Sequence, residues 1–508
     1  MMDMPNSFDV HGRLLEDDEL AAWLAEHSLG NRFGLAVQGT DPAHQLRAPK
    51  APALAIVAAD GEGRYIDTAT LTEDDEAALA SWLGDPGPPK AVHDAKLVAR
   101  ALARCGWALR GVTSDTASAA YLLDPEQPNS SLNELLVRHM RCALPLEDTD
   151  DTGDMEDPEQ AVHALILQAC AVLDLADVLD EELARIGSSS VFSRLELPVL
   201  PALSEMELAG IAVDRVRLTH ILTRVEDEVD AARLQVAVDV LLNSTASDGR
   251  IHPTFHRTEA ATGRISSRNP GLHDLPLRRD DGANLRDVFV AGDGFVELMT
   301  ARYGEIEARV IAHLSDDAGL IGALNSGENP YRALASHAFP LSVDKVTSQF
   351  RRRVELMFYE STATIGAEDH DFWRDLSDNL RGVVDDARRI GYCSTLLGRR
   401  RYLPDLDSAN RQVRETAERA ALSVLIGGSA ADITKVAMIN VHRAIKDAGL
   451  KSRMLLQVDN ELVLEVAEGE RETLAAHLGE QLRGAYPLQA PLEVLIGYGN
   501  NWGIATRG

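Results

Sequence analysis

Cysteine, positive charge and long apolar runs are all scarce in this chain. Four cysteines stand in 508 residues (Cys105, Cys142, Cys170 and Cys393), and none shares a CxxC or other ligand-like spacing. That excludes a disulfide scaffold and a cysteine-bound structural zinc, and fits a reduced, cytoplasmic protein. No uninterrupted apolar stretch approaches the roughly 18 residues that span a bilayer, so no membrane partner is expected. The opening Met1-Met2-Asp3-Met4-Pro5 has neither the basic nor the apolar region of a signal peptide. Lys and Arg number 50 against 80 Asp and Glu, a formal charge of −30. This balance disfavours a protein whose whole surface attracts nucleic acid, since neutralising phosphates needs clustered Lys and Arg. It leaves room for a local basic groove on an acidic body. No Gly-rich phosphate loop follows a strand, no GxSxG elbow occurs, and the histidines show no HExxH spacing.

With 45% hydrophobic and 26% charged residues, the composition is that of a globular protein, and the length suggests two to four domains. Part of the acidic excess lies in 147–159, EDTDDTGDMEDPE, which self-repels and reads as a mobile acidic loop rather than a DNA-mimicking plug. Before it, strands are predicted at Phe33–Val37 and Ala53–Val57. Asp60-Gly61 then makes a hairpin turn ahead of Arg64–Asp67. Helical patterns cover 74–83, 94–105, 115–123 and 160–185. This βαβ-like order implies an α/β domain over 1–190. A second unit, 191–508, opens with a helix and turn over Leu195–Val213 and a long helical stretch, Leu218–Leu242. Near the end, Leu455–Val463 reads as a strand, a tight turn and a second strand.

Segments of the first unit resemble a known domain. Ala91–Leu123, with His93-Asp94-Ala95-Lys96 and Gly111–Thr116, resembles the 3′–5′ exonuclease (ribonuclease H-like) domain of family A DNA polymerases. An active domain of that kind binds two metals through carboxylates in three motifs. Here the matching positions read Gln38-Gly39-Thr40, Val98, and Ile166 with Cys170. Asp60 and Glu62 form Asp-x-Glu only in the hairpin turn, where acids usually face solvent. Exonuclease activity is therefore not expected.

The second unit resembles the polymerase domain of the same family, in the form found in bacterial DNA polymerase I of actinobacterial type. Thr258–Pro276 is similar to its Thr-Gly-Arg-x-Ser-Ser segment. The resemblance implies that Arg264 contacts the primer strand, with Thr262, Gly263, Ser266 and Ser267 near phosphates; a salt bridge within the palm is the other reading of Arg264. Phe295–His313 resembles the first metal-binding motif. Tyr303, Ile306, Glu307 and Arg309 match it, but the family's catalytic aspartate falls on Arg302. In the 455–463 hairpin, the family's His-Asp-Glu is Asp459-Asn460-Glu461. Arg351–Tyr359 resembles the nucleotide-binding helix. Its arginine is kept as Arg351, its lysine has become Glu355, and a later template-stacking tyrosine is Ala363. Gly391–Leu422 matches closely and implies duplex contacts at Arg411, Arg414 and Arg419, after which the family's terminal glutamine is Gly427. The chain leaves little length for a thumb (191–250) or for fingers (346–391) around a palm at 251–345 and 392–508.

Against that pattern the polymerase site looks dismantled. An arginine about 4 Å from a divalent ion is repelled by about 8 kcal/mol at an effective dielectric of 20. The expected arrangement is an ion pair from Arg302 to Glu461 or Asp459 in place of the metals, with no resident cofactor. The first functional reading is a catalytically inactive pseudo-polymerase, binding primer–template or duplex DNA weakly or scaffolding in DNA replication or repair, in the cytoplasm or at the nucleoid. The second is a residual nucleotide-processing enzyme using Glu305, Glu307, Asp459 and Glu461, with Mg²⁺. The third is a protein–protein module with no DNA role.

Overall fold

The computed structural model describes residues 8, 10–28, 30–38, 53–127, 130–145, 158–221, 228–273, 275, 284–327 and 382–507, without the side chains of 158 and 228–233. Two compact units divide the chain, Met1–Ser204 and Glu205–Gly508. Residues 191–204 thus fold with the first unit, where Leu200 joins the core built around Trp23, Phe33 and Trp82. Residues 147–157 of the acidic segment lie outside the described residues.

The first unit is an α/β fold around a six-stranded sheet. Its strands are β1 (His11–Leu14), β2 (Phe33–Val37), β3 (Leu54–Val57), β4 (Glu62–Ile66), β5 (Lys90–Val92) and β6 (Val112–Asp115), in the order β1-β4-β3-β2-β5-β6. The β3–β4 hairpin is antiparallel, while β2, β5 and β6 run parallel to one another. Side-chain alternation sends Phe33, Leu35 and Val37 into one core with Leu79, Trp82 and Leu102. Ala36, Ala55 and Val57 face the other way, against Ile166, Ala169 and Cys170 of α1 (Pro158–Arg185). A Cβ on Gly34 would lie 2.1 Å from the Ala169 carbonyl oxygen, so only glycine lets this helix lie so close to β2. Helices at Glu73–Gly84, Ala95–Ala103 and Thr116–Leu123 match the predicted helical stretches.

The second unit is built on a four-stranded antiparallel sheet of β7 (Glu297–Gly304), β8 (Arg453–Val458), β9 (Glu461–Val466) and β10 (Glu493–Gly499), in the order β8-β9-β7-β10. Each of β8 and β9 is a short apolar run bounded by turn residues, the mark of a buried strand. Asp459 and Asn460 form the two-residue turn between them, and Asp459 takes the left-handed φ of +53° that such turns demand. Helix α2 (Ile306–Ser315) leaves β7 directly. Later come α3 (Arg411–Ser423), a π-turn at Val424–Gly428, and α4 (Ser429–Asp447), then α5 (Arg471–Arg483) and α6 (Trp502–Ala505). The Tyr303 hydroxyl donates to the Leu482 carbonyl of α5 at 2.8 Å, and the Thr300 hydroxyl to the Ala505 carbonyl of α6 at 3.0 Å. Since residues three apart on a strand point to opposite faces, α5 and α6 cover opposite sides of the sheet.

Two expectations change. The stretch Leu218–Leu242 is described as two helices, Arg215–Ile221 and Glu228–Asn243, with 222–227 outside the described residues. Also, Glu159–Arg185 and Arg411–Asp447 are long and apolar enough to cross a membrane by length and composition. Each carries much of its apolar surface inside a folded unit, and a core helix that is apolar most of the way round has the same composition as a spanning one.

Candidate functional site

Strand register brings the two altered polymerase motifs side by side. Arg302 on β7 stands opposite Glu461 on β9, on the same face as Thr300. The expected Arg302–Glu461 ion pair does not form. Glu461, 4% exposed, binds Arg286 instead, its Oε2 lying 3.1 Å from Arg286 Nη1. The Trp502 indole N–H donates to the same oxygen at 3.2 Å, and the Thr506 hydroxyl donates to Oε1 at 2.8 Å. The Arg286 guanidinium also stacks on the Trp502 ring, 4.1 Å from its centroid. Burial presses the Arg286 pKa below its ordinary range, and the charges of Glu461 and Asp459 oppose that shift. Nor does Arg302 pair with Asp459: among the described residues, the Arg302 side chain has no ion pair or hydrogen bond.

Asn460 has a structural task that aspartate could not perform. Its Nδ2 donates to the Tyr303 carbonyl at 3.1 Å, and its own carbonyl accepts from the Tyr303 N–H at 3.2 Å. These two bonds fasten the hairpin turn to the end of β7. An ionised carboxylate at 460 would face a carbonyl with nothing to donate.

Beside the turn lies a cavity of about 340 Å³, lined by Arg264, Glu307, Gly427, Lys435, Gln457 and Asp459 among others. The π-turn places Gly427 on its wall, where a Cβ would approach Arg264 Nη2 to 3.2 Å. Glu307 lies 3.4 Å from Arg264, whose side chain is 54% exposed, so the arginine meets both the palm acid and the open cavity. Burial pushes the Glu307 pKa up; Arg264 opposes the shift and Asp459 adds to it. Gln457 is 4% exposed, and its amide donates to the Asp459 carbonyl while its Oε1 has no partner. The Asp459 carboxylate has no hydrogen bond or ion pair among the described residues. Glu305 stands at the left-handed start of α2, with φ +50°.

The remaining sequence-predicted residues fall into three groups. Thr262 and Gly263 sit in the loop before strand Ser266–Arg268; Gly263 has φ +80°, and its Cα packs on the buried Arg399 guanidinium. The hydroxyls of Ser266 and Ser267 are used internally, the first donating to Glu259 at 2.7 Å and the second bonding His273 Nδ1 at 2.7 Å. Arg411, Arg414 and Arg419 all lie on α3. Arg411 is 84% exposed and pairs with Glu415 at 2.6 Å; Arg414 donates to the Ser408 carbonyl at 2.8 Å, and Arg419 to the Thr416 hydroxyl at 3.0 Å. Arg351, Glu355 and Ala363 lie outside the described residues. Sequence reasoning passed over Arg286, Gln457 and Lys435. No local spacing marks Arg286, which reaches Glu461 from 175 residues away.

The hairpin residues do not suit the magnesium pair that the family resemblance implies. Glu461 is saturated by an arginine, an indole and a hydroxyl, Asn460 is tied to a carbonyl, and Arg302 brings positive charge. Hard cations need several anionic oxygens each. Among the described residues no group of three or more His, Cys, Asp or Glu could hold a metal ion. In the first unit, Val98, Ile166 and Cys170 are buried apolar positions on helices, and Gln38 follows β2.

Comparison with known proteins bears directly on this site. Residues 205–369 and 370–504 match the family model described as DNA polymerase family A, and 47–148 match that of the DNA polymerase I ribonuclease H-like domain. DNA polymerase I of Mycobacterium tuberculosis is 44% identical over 99% of the chain, and that of Mycobacterium leprae 43% identical over the same share. The chain spans 66% of the length of each of these relatives. The alignments run over 604 positions against 508 residues here, so the relatives carry segments that this chain lacks. A solved structure described as the POL domain of Pol1 from M. smegmatis, in complex with DNA primer-template and dNTP, is 48% identical. It covers 98% of this chain and 100% of its own, with a TM-score of 0.88. The expectation of a catalytically inactive protein is corrected by these findings. Relatives over nearly the whole chain are DNA polymerase I, and the similar structure holds primer-template and dNTP together.

Proposed function

The chain belongs to DNA polymerase family A, and from that premise we propose that its second unit binds primer–template DNA. The observation that carries this reading is the 48% identical structure, similar over 98% of the chain, that holds primer-template and dNTP. Local geometry supports it. Arg411 and Arg419 stand eight residues apart on α3, roughly 12 Å along a helix axis. A DNA strand presents a phosphate about every 3.4 Å, so this span matches about three to four phosphates. The same helix continues through the π-turn to the cavity at Gly427. A short thumb over 205–250 and short fingers over 346–391 would leave much of the grip to this arginine line and to Arg264. With DNA as the partner, the cytoplasm, at the nucleoid, is the compartment we propose.

Fluorescence anisotropy with a labelled primer–template, titrated with salt, tests this reading. Affinity is expected to fall steeply as salt rises. Arg411→Ala and Arg419→Ala should each weaken binding to all sequences alike and lower the salt slope by about one. If wild-type protein does not bind even at low salt, the arginines are structural and the proposal fails.

A second reading, nucleotide addition to the primer, is favoured by the Asp459 carboxylate, which lies at the cavity beside Glu307 with no hydrogen bond or ion pair among the described residues. In that reaction the primer 3′-hydroxyl loses its proton as its oxygen bonds to the α-phosphorus of a deoxynucleoside triphosphate, and pyrophosphate leaves. A positioned carboxylate accepts such a proton and contributes about 10²-fold or more to the rate. Primer extension with Mg²⁺ or Mn²⁺ in the buffer is expected to be template-directed. Asp459→Asn should slow it by about 100-fold without changing DNA affinity. An unchanged rate in the variant would remove Asp459 from the chemistry.

A further inference from the structure

Charged side chains of both signs stand near the Asp459–Asn460 turn among the described residues. Arg264, Lys435, Glu307 and Asp459 line the cavity, while Arg302 stands opposite Glu461 across β7 and β9 and Arg286 holds that carboxylate.

The acids are committed unequally. Glu461 is held by Arg286, Trp502 and Thr506, and Glu307 faces Arg264. Arg302 is left over. It is half-buried, its register partner is Glu461, and that carboxylate already belongs to Arg286. Arg286 adds an independent sign: it is 7% exposed, and its Nε–H has no acceptor among the described residues. A guanidinium offers donors in a rigid fork that matches a tetrahedral oxyanion, and a buried donor without an acceptor costs free energy until an acceptor arrives.

We propose that Arg302 binds a phosphate group and supplies by its own side chain the positive charge that a divalent ion would otherwise bring to this end of the sheet. The ligand chemistry is a phosphate oxyanion, from either the DNA backbone or a nucleotide triphosphate. The inference deepens the reading that the unit binds primer–template DNA. It turns the poor fit of the hairpin to a metal pair into a positive property of the site.

The test measures binding in EDTA, so that no divalent ion contributes. Two probes are used: a fluorescent primer–template, and inorganic triphosphate followed by calorimetry. Arg302→Ala is expected to weaken at least one of them about tenfold. Arg302→Lys, which keeps the charge but not the fork, should fall between Arg302→Ala and wild type. The Arg302 side chain has no ion pair or hydrogen bond to lose among the described residues, so thermal unfolding of both variants should match wild type; Arg302→Gln, which keeps most of the stem, serves should the alanine variant fail to fold. Loss confined to primer–template, with the salt slope reduced by about one, assigns the site to a backbone phosphate. Loss confined to triphosphate assigns it to a nucleotide. Unchanged affinity for both probes, or dependence of both on added Mg²⁺, overturns the proposal. If wild-type protein binds triphosphate but not DNA, the DNA-binding reading falls while Arg302 is still tested by the second probe.

Discussion

Glu461→Ala is expected to destabilise the second unit by about 3–5 kcal/mol, whether or not it changes any activity. Glu461 is nearly inaccessible and accepts from the Arg286 guanidinium, the Trp502 indole and the Thr506 hydroxyl. Alanine would leave the Arg286 charge buried without its acid, and that is the main cost: a desolvated cation must then draw in water or distort the stack on Trp502. Urea unfolding followed by tryptophan fluorescence reads the change, since Trp502 sits in the same network. Replacing the pair together, Arg286→Met with Glu461→Leu, should recover most of the loss, because well-packed apolar residues can replace a buried ion pair without net penalty. A single substitution with wild-type stability would mean that the pair does not hold this end of the sheet. It also follows that lost primer extension in Glu461→Ala would not identify a metal ligand unless the variant were shown to be folded.

Arg399→Ala should cost a similar amount, about 3–5 kcal/mol. Arg399 is 1% exposed and Asp432 fully buried; Arg399 Nη2 and Nε reach Asp432 Oδ1 at 2.7 and 3.0 Å, and the Thr395 hydroxyl binds Oδ2 at 2.7 Å. This network ties the Tyr392–Tyr402 hairpin to the first turn of α4, and Gly263 packs against the guanidinium. Removing the arginine strands a buried carboxylate and frees the loop that carries Arg264. Primer–template affinity should therefore weaken together with stability. An unfolding midpoint equal to wild type would rule out this account of the loop.

Much of the architecture was legible in the residues. The apolar runs at 33–37 and 53–57, the Asp60-Gly61 turn and the helical periods near 74–83 and 160–185 all recur as elements. The 455–463 hairpin formed as expected because two apolar runs flank a turn whose first residue tolerates a left-handed φ. Arg302 and Asn460 stood out as departures from the family pattern. What each side chain does was not legible, and the inference drawn from them, that the chemistry had been lost, went beyond what the substitutions could carry.

Sequence by itself determined the kinds of unit, the order of their elements and the strand pairings next in chain order, since periodicity and turn chemistry act over a few residues. Tertiary structure alone decided who meets Glu461, why position 460 needs an amide, and that among the described residues the Arg302 side chain meets no acid. Those outcomes depend on partners tens to hundreds of residues away, set by strand register and by which helix covers each face of the sheet. A buried carboxylate takes whichever cation the packing delivers, and here the packing delivered Arg286.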